Sequence, residues 1–207
     1  MKPSSDSPAR LFHLHVNTPD VAALESWLDS LGVPLRQRFG ILDGESVALA
    51  PGEDAPDGWR LRLQSHRVGA VDVTLAPGQR RRFDHLGVVT NAFDDVVVRV
   101  EATGWSVRDP DGRRPFVMTP WTFRVEVHRA DSDVARSIGP REDARLERVE
   151  VLVPEDEAES VRSGLPTVFG ELPALAVSGG DVERATLGGF TLAGDRVETT
   201  GPVALPE

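Results

Sequence analysis

At 207 residues the chain is long enough to bury a core without covalent staples, as one good-sized domain or two small ones. It contains no cysteine, which excludes disulfides and thiolate metal sites and leaves His, Asp and Glu to hold any metal. A formal net charge of -10 argues against nucleic acid or an anionic membrane as a partner, because both are bound through clusters of Lys and Arg.

Residues 1–9 are polar and read as a flexible arm. No apolar run approaches the ~20 residues needed to cross a bilayer, so a soluble, non-exported, cytoplasmic protein is the expectation. Leu11 to Asn17 alternates like a half-buried strand. Thr18-Pro19-Asp20 then opens a helix, with Thr18 as the cap and proline at the first helical position. Leu24, Trp27, Leu28 and Leu31 form the apolar face of that helix, and Gly32 closes it. Strands follow at 34–40, 46–50, 59–65 and 70–76, separated by Asp43-Gly44, by 51–58 and by a turn near Gly69 that leaves His66 exposed.

The pattern then repeats. A strand over 83–90 leads to a helix over 91–103, ended by Gly104, and strands at 105–108, 115–118 and 123–128 are joined by the Asp109-Pro-Asp-Gly112 and Thr119-Pro120 turns. Residues 131–144 are charged, contain Gly139-Pro140 and read as a linker. From Arg145 a weaker third copy begins. Residues 145–156 can be laid without gaps on 10–21, with a short helix over 155–163 and strands near 175–177, 184–187 and 190–192. The units are thus 10–79, 80–130 and 145–207. The fold class is α+β: repeated βαβββ modules in which a helix packs on a small sheet, two of them pairing into a curved mixed sheet around a cleft.

Side-chain alternation places His13 and His15 on one face with Leu11 and Asn17, and Phe12, Leu14 and Val16 on the face that covers the helix. By the same rule Arg124, Glu126 and His128 oppose Phe123, Val125 and Val127, and Asp72 and Thr74 oppose Val71, Val73 and Leu75. Four of the five histidines therefore lie in strands. An open, solvated sheet face would account for them. A cleft interior rich in imidazole and carboxylate, by contrast, is costly unless those groups bind one another, a ligand or a metal.

The run from His13 to Asp20 before a helix ending in Leu31-Gly32 resembles the opening of a vicinal oxygen chelate module, the unit of glyoxalases, bleomycin-resistance proteins and certain dioxygenases. Phe83-Asp-His-Leu-Gly-Val88 resembles the second opening, and residues 113–128 resemble the closing hairpin that supplies a glutamate. The resemblance implies a divalent transition metal, Fe(II), Mn(II), Zn(II) or Ni(II), held by His13, His85 and Glu126, with Asp72 as the best match to a fourth ligand. His15 and His128 are then candidates for proton transfer, and Trp121 and Arg124 for the substrate cleft. Ring-cleaving dioxygenases and fosfomycin-resistance enzymes of this type use a tyrosine near the metal. This chain has none, which makes both activities less expected. The third module carries Arg148 where the first has His13, so it does not repeat the site; it is expected to pack on the others or to form a subunit contact, as in a homodimer.

Two functions follow. One is a metal-dependent lyase, isomerase or oxygenase acting on a small molecule chelated through adjacent oxygens. The other is a metal-free small-molecule binding or resistance protein using the same cleft.

Overall fold

The computed structural model describes residues 9–69, 71–138, 146–192 and 195–198. Nine strands form one mixed sheet: β1 (Arg10–Thr18), β2 (Leu35–Leu42), β3 (Glu45–Leu49), β4 (Arg60–Val68), β5 (Val71–Pro77), β6 (Arg82–Thr90), β7 (Ser106–Arg108), β8 (Phe116–Met118) and β9 (Arg124–Arg129). Their order is β3-β2-β4-β5-β1-β6-β9-β8-β7. Each module lays its last strand parallel to its first, β5 along β1 and β9 along β6, and the modules join through the antiparallel β1–β6 pair. The helices α1 (Val21–Ser30) and α2 (Phe93–Ala102) follow the first strand of each module. The second module is βαβββ as expected. The first carries one strand more than the βαβββ plan, the strand read at 46–50, because Asp43 and Gly44 both take positive φ (51° and 87°) and close a tight hairpin from β2 into β3.

Asp20, not Thr18, caps α1, its carboxylate accepting from the Ala23 amide at 2.9 Å. Pro19 therefore precedes the cap instead of opening the helix. Leu24 and Leu28 of α1 and Val96 and Val100 of α2 pack with Leu14, Val16, Val73, Leu75, Leu86 and Val125 into one core.

Alternation fails at one informative place. A bulge between Leu11 and His13 makes Phe12 the extra residue of β1, and a bulge sends two successive side chains the same way. Leu11 therefore joins the core beneath the helices, while Phe12 turns to the opposite face and packs with Val89 and Ala135. The expected assignment of these two residues is reversed. His66 is also corrected: it lies inside β4, fully buried, and accepts from Gln64 Nε2 at 2.8 Å, the same amide donating to Glu25 of α1 at 2.9 Å. The strand simply runs longer than its apolar residues suggest.

After β9 the chain forms a short helix, α3 (Asp133–Ile138), where a linker was expected; residues 139–145 lie outside the described residues. A second sheet has the order β11-β10-β12-β13, from β10 (Leu146–Pro154), β11 (Leu175–Gly180), β12 (Thr186–Leu192) and β13 (Asp195–Glu198). Helix α4 (Ala158–Phe169) runs past its expected end through Gly164 and Pro166, because burial of Leu165, Val168 and Phe169 outweighs the backbone hydrogen bond lost at the proline. The two short strands expected at 184–187 and 190–192 are one strand, β12. The register of β10 reproduces that of β1: its bulges fall between Leu146 and Arg148 and between Glu150 and Val151, as those of β1 fall between Leu11 and His13 and between His15 and Val16. Arg148 thus occupies the place of His13. The unit packs on the helix side of the large sheet, with Arg99 Nε donating to the Val168 carbonyl at 2.7 Å and the Ala185 amide to Thr122 Oγ1 at 2.8 Å. Among the described residues no helix is long and apolar enough to cross a membrane.

Candidate metal centre

Three adjacent strands of the large sheet supply the centre. His13 comes from β1, His85 from β6 and Glu126 from β9, and Gly87 lies opposite both His13 and Glu126 in the strand register. One donor atom from each of the three lies within 4.8 Å of the others, and among the described residues these form the one group of this kind. His13 Nε2 stands 3.2 Å and His85 Nε2 3.1 Å from Glu126 Oε2. Neither approach has hydrogen-bonding geometry, so all three atoms are buried without a hydrogen-bond partner. Leaving even one such group unsatisfied is costly, and three aimed at one point are what a divalent cation would satisfy. The donor set therefore fits the metal that the resemblance implies.

The surroundings hold these atoms in the form a cation needs. His85 Nδ1 donates to Asp84 Oδ2 at 2.8 Å, leaving the Nε2 lone pair for the centre. Asp84 reaches this position because it is the extra residue in the bulge where β6 passes His15 and Val16. Arg82 and Arg124 also bind its carboxylate. Burial opposes ionisation of Asp84, but the hydrogen bonds from His85 and Arg124 hold it well below the ordinary carboxyl range. Glu126 behaves alike: its complete burial is outweighed by its contacts with His128, His13 and His85, which keep it ionised. His128 Nε2 donates to Glu126 Oε1 at 2.8 Å, and Arg114 Nε approaches the same oxygen at 3.5 Å. Burial lowers His13 to about 4, so its imidazole is neutral near pH 7.

Gly87 makes room for the rings of Phe12 and His13 on the neighbouring strand. A Cβ there would lie 2.6 Å from the Phe12 ring and 2.9 Å from His13 Cδ2.

The other residues singled out in the sequence are dispersed around the centre. His15 lies flat against His85, ring centroids 4.6 Å apart at 12°, and burial lowers it to about 3. Asp72 neighbours His13 across β1–β5, but its carboxylate pairs with Arg67 Nε at 3.2 Å and is not in the three-donor group. Burial raises the Asp72 carboxyl against the opposing pull of Arg67. Arg124 stacks over Phe116 at 4.2 Å and holds Asp84, behind His85. Trp121 packs edge-on to Trp105 and donates to Ser160 of α4 at 3.0 Å, which ties the two sheets together on the far side from the cleft. Sequence reasoning passed over Asp84, which the motif Phe83-Asp-His itself contained, and Arg114, the residue just before a predicted strand.

A cleft of about 670 Å³ reaches the centre at His13. Phe12, His13, His15, Asp72 and Thr74 line its floor, strands β2 to β4 one wall, and Arg113 and Arg114 the other.

No family model and no curated protein matches the sequence. Solved structures do match in fold. A halotolerant catechol dioxygenase aligns over 87% of this chain and 68% of its own, at a TM-score of 0.55 and 13% identity. The 2,2',3-trihydroxybiphenyl 1,2-dioxygenase of Sphingomonas wittichii aligns over 89% and 72%, at 0.58 and 14%. The Mn(II)-bound glyoxalase of Novosphingobium aromaticivorans aligns over 86% and 63%, at 0.56 and 13%. The chain thus spans about two thirds of the length of these proteins.

Proposed function

Given that the chain has the vicinal oxygen chelate fold of these dioxygenases and this glyoxalase, we propose that it is a metal-dependent enzyme. On this reading His13, His85 and Glu126 hold a divalent transition metal, Fe(II), Mn(II), Zn(II) or Ni(II), and a small oxygen-bearing molecule binds above it. The observation that carries the proposal is the convergence of three buried donor atoms, each without a hydrogen-bond partner. Two imidazoles and one carboxylate suit these metals and leave coordination positions open to a substrate.

Held by His13, His85 and Glu126, a divalent ion would supply Lewis acidity to substrate oxygens. The protein's own groups prepare for this in separable ways. Asp84 fixes the tautomer and direction of His85, and His128 holds the second oxygen of Glu126 so that the first faces the centre. Phe12 excludes water from the side of His128, its ring 5.3 Å from that imidazole. His128 Nε2 is committed to Glu126, so His15 and Asp72, both lining the cleft, are the candidates to move a substrate proton. Such a site serves a lyase, an isomerase or an oxygenase.

Elemental analysis of protein purified without chelators or a histidine tag tests the proposal. One equivalent of a transition metal, lost in His13→Ala and in His85→Ala, is the expected result. Protein that is metal-free and takes up none of Fe(II), Mn(II), Ni(II) or Zn(II) would overturn it in favour of a metal-free binding protein.

A further inference from the structure

The chain carries 33 acidic and 23 basic side chains, yet the cleft that reaches the centre is lined by four arginines, Arg36, Arg62, Arg113 and Arg114, and one carboxylate, Asp72. That carboxylate is already paired with a fifth arginine, Arg67. Arg36, Arg62 and Arg113 are exposed and donate no hydrogen bond to any described residue; Arg36 acts on Asp72 only through its charge. In a protein of net charge -10, four guanidinium groups against one carboxylate around a concave surface favour a local positive potential against the overall charge.

Backbone geometry places two of these arginines there. In the β2–β4 ladder Leu35 pairs with His66 and Gln37 with Ser65, so Arg36 is the extra residue of one bulge; Phe39 pairs with Leu63 and Gly40 with Leu61, so Arg62 is the extra residue of another. In a regular ladder Arg36 would face away from Gln37, and Arg62 away from Leu63. The bulges bring both members of each pair into the cleft lining. Arg113 and Arg114 stand on the opposite wall, on the connection between β7 and β8. The β2–β4 wall itself presents Phe39, Ile41, Val47 and Leu63, an apolar surface suited to a hydrocarbon or aromatic body.

We propose that the cleft binds an anionic small molecule with an apolar body, whose carboxylate or phosphate is held by Arg36, Arg62 and Arg113 while its other end lies over His13. This deepens the metalloenzyme reading and rests on it. Guanidinium groups suit both anions, since each presents paired oxygens to the planar fork.

Titration calorimetry with phenyl phosphate, benzoate and neutral benzyl alcohol tests the site, on protein whose metal content has first been measured. Either anion is expected to bind, the tighter of the two naming the phosphate or carboxylate class, with benzyl alcohol much weaker. Arg36→Gln, Arg62→Gln and Arg113→Gln should each raise the anion Kd about 10-fold and leave metal content and melting temperature unchanged. Three results would overturn the proposal: benzyl alcohol binding as tightly as the anions, neither anion binding at millimolar concentration, or an anion Kd unchanged in the triple variant. A metal-free protein that still shows arginine-dependent anion binding would sink the metalloenzyme reading and leave the anion site standing.

Discussion

Asp84 Oδ2 accepts a hydrogen bond from His85 Nδ1 at 2.8 Å, and this contact between chain neighbours decides which ring nitrogen of His85 faces the centre. Neighbours in a regular strand point to opposite faces, so the contact exists only because Asp84 is the extra residue of a bulge. Asp84→Ala should weaken metal binding about 10- to 100-fold, as loss of such an outer carboxylate does elsewhere, and Asp84→Asn, which keeps an acceptor, should weaken it less. Competition against a chromogenic chelator measures both; equal affinity in wild type and Asp84→Ala would remove Asp84 from the account.

Gly87 of β6 sits opposite His13 of β1 and Glu126 of β9. Gly87→Ala brings a methyl to within 2.6 Å of the Phe12 ring, and Phe12 has little room to retreat because it packs on Val89 and Ala135. The substitution should cost about 1 to 3 kcal/mol of stability by overpacking. It should also displace His13 and so lower metal affinity. Urea unfolding and chelator competition report the two effects, and a variant as stable as wild type would show that the Phe12 ring yields to a methyl group at this position.

The metal-free protein should lose stability in acid. Burial holds His13 at about 4 and His15 at about 3, against 6.5 in the unfolded chain, so between pH 6.5 and those values the unfolded chain binds more protons. Stability is then greatest above pH about 6.5 and falls as pH drops, by a few kcal/mol in order of magnitude at pH 4. The depressed carboxyls of Glu126 and Asp84 act in the same direction once pH falls below their unfolded values near 4. A urea midpoint that stays level from pH 7 to pH 4 would contradict this.

Trp121 gives the opposite kind of test, because the structure puts it in a contact between the sheets and outside the cleft lining. Trp121→Ala removes its packing on Trp105 and its hydrogen bond to Ser160, and should cost about 3 to 5 kcal/mol. Metal stoichiometry and anion affinity should be unchanged in the fraction that remains folded. Selective loss of anion binding with stability intact would return Trp121 to the substrate site.

The modular plan was legible because it is written in short-range signals: Thr18-Pro19-Asp20 before the first helix, even though the cap within it was misplaced, Gly32 and Gly104 after two helices, and alternating valines in β5 and β9. The trio His13, His85 and Glu126 was legible by resemblance to a known order of elements. The surroundings were not. Asp72 looked like a fourth ligand by the same resemblance, and its partner Arg67 becomes visible only when β4 turns back on β5. His66 looked exposed because the turn was placed too early, and Trp121 looked like a cleft residue because nothing local announces α4 beside it.

The sequence by itself determined the element order, the pairing of modules and the residue types available to a cation, since each depends on periodicity, caps and chemistry that neighbouring residues carry. Only the tertiary structure decided which side of the sheet Phe12, Arg36, Arg62 and Asp84 occupy. All four lie at bulges, and a bulge arises from the register between strands far apart in the chain. A one-residue slip between two strands reverses a face without leaving a mark in either strand's own sequence, and in this protein those slips orient His85 and line the cleft with arginine.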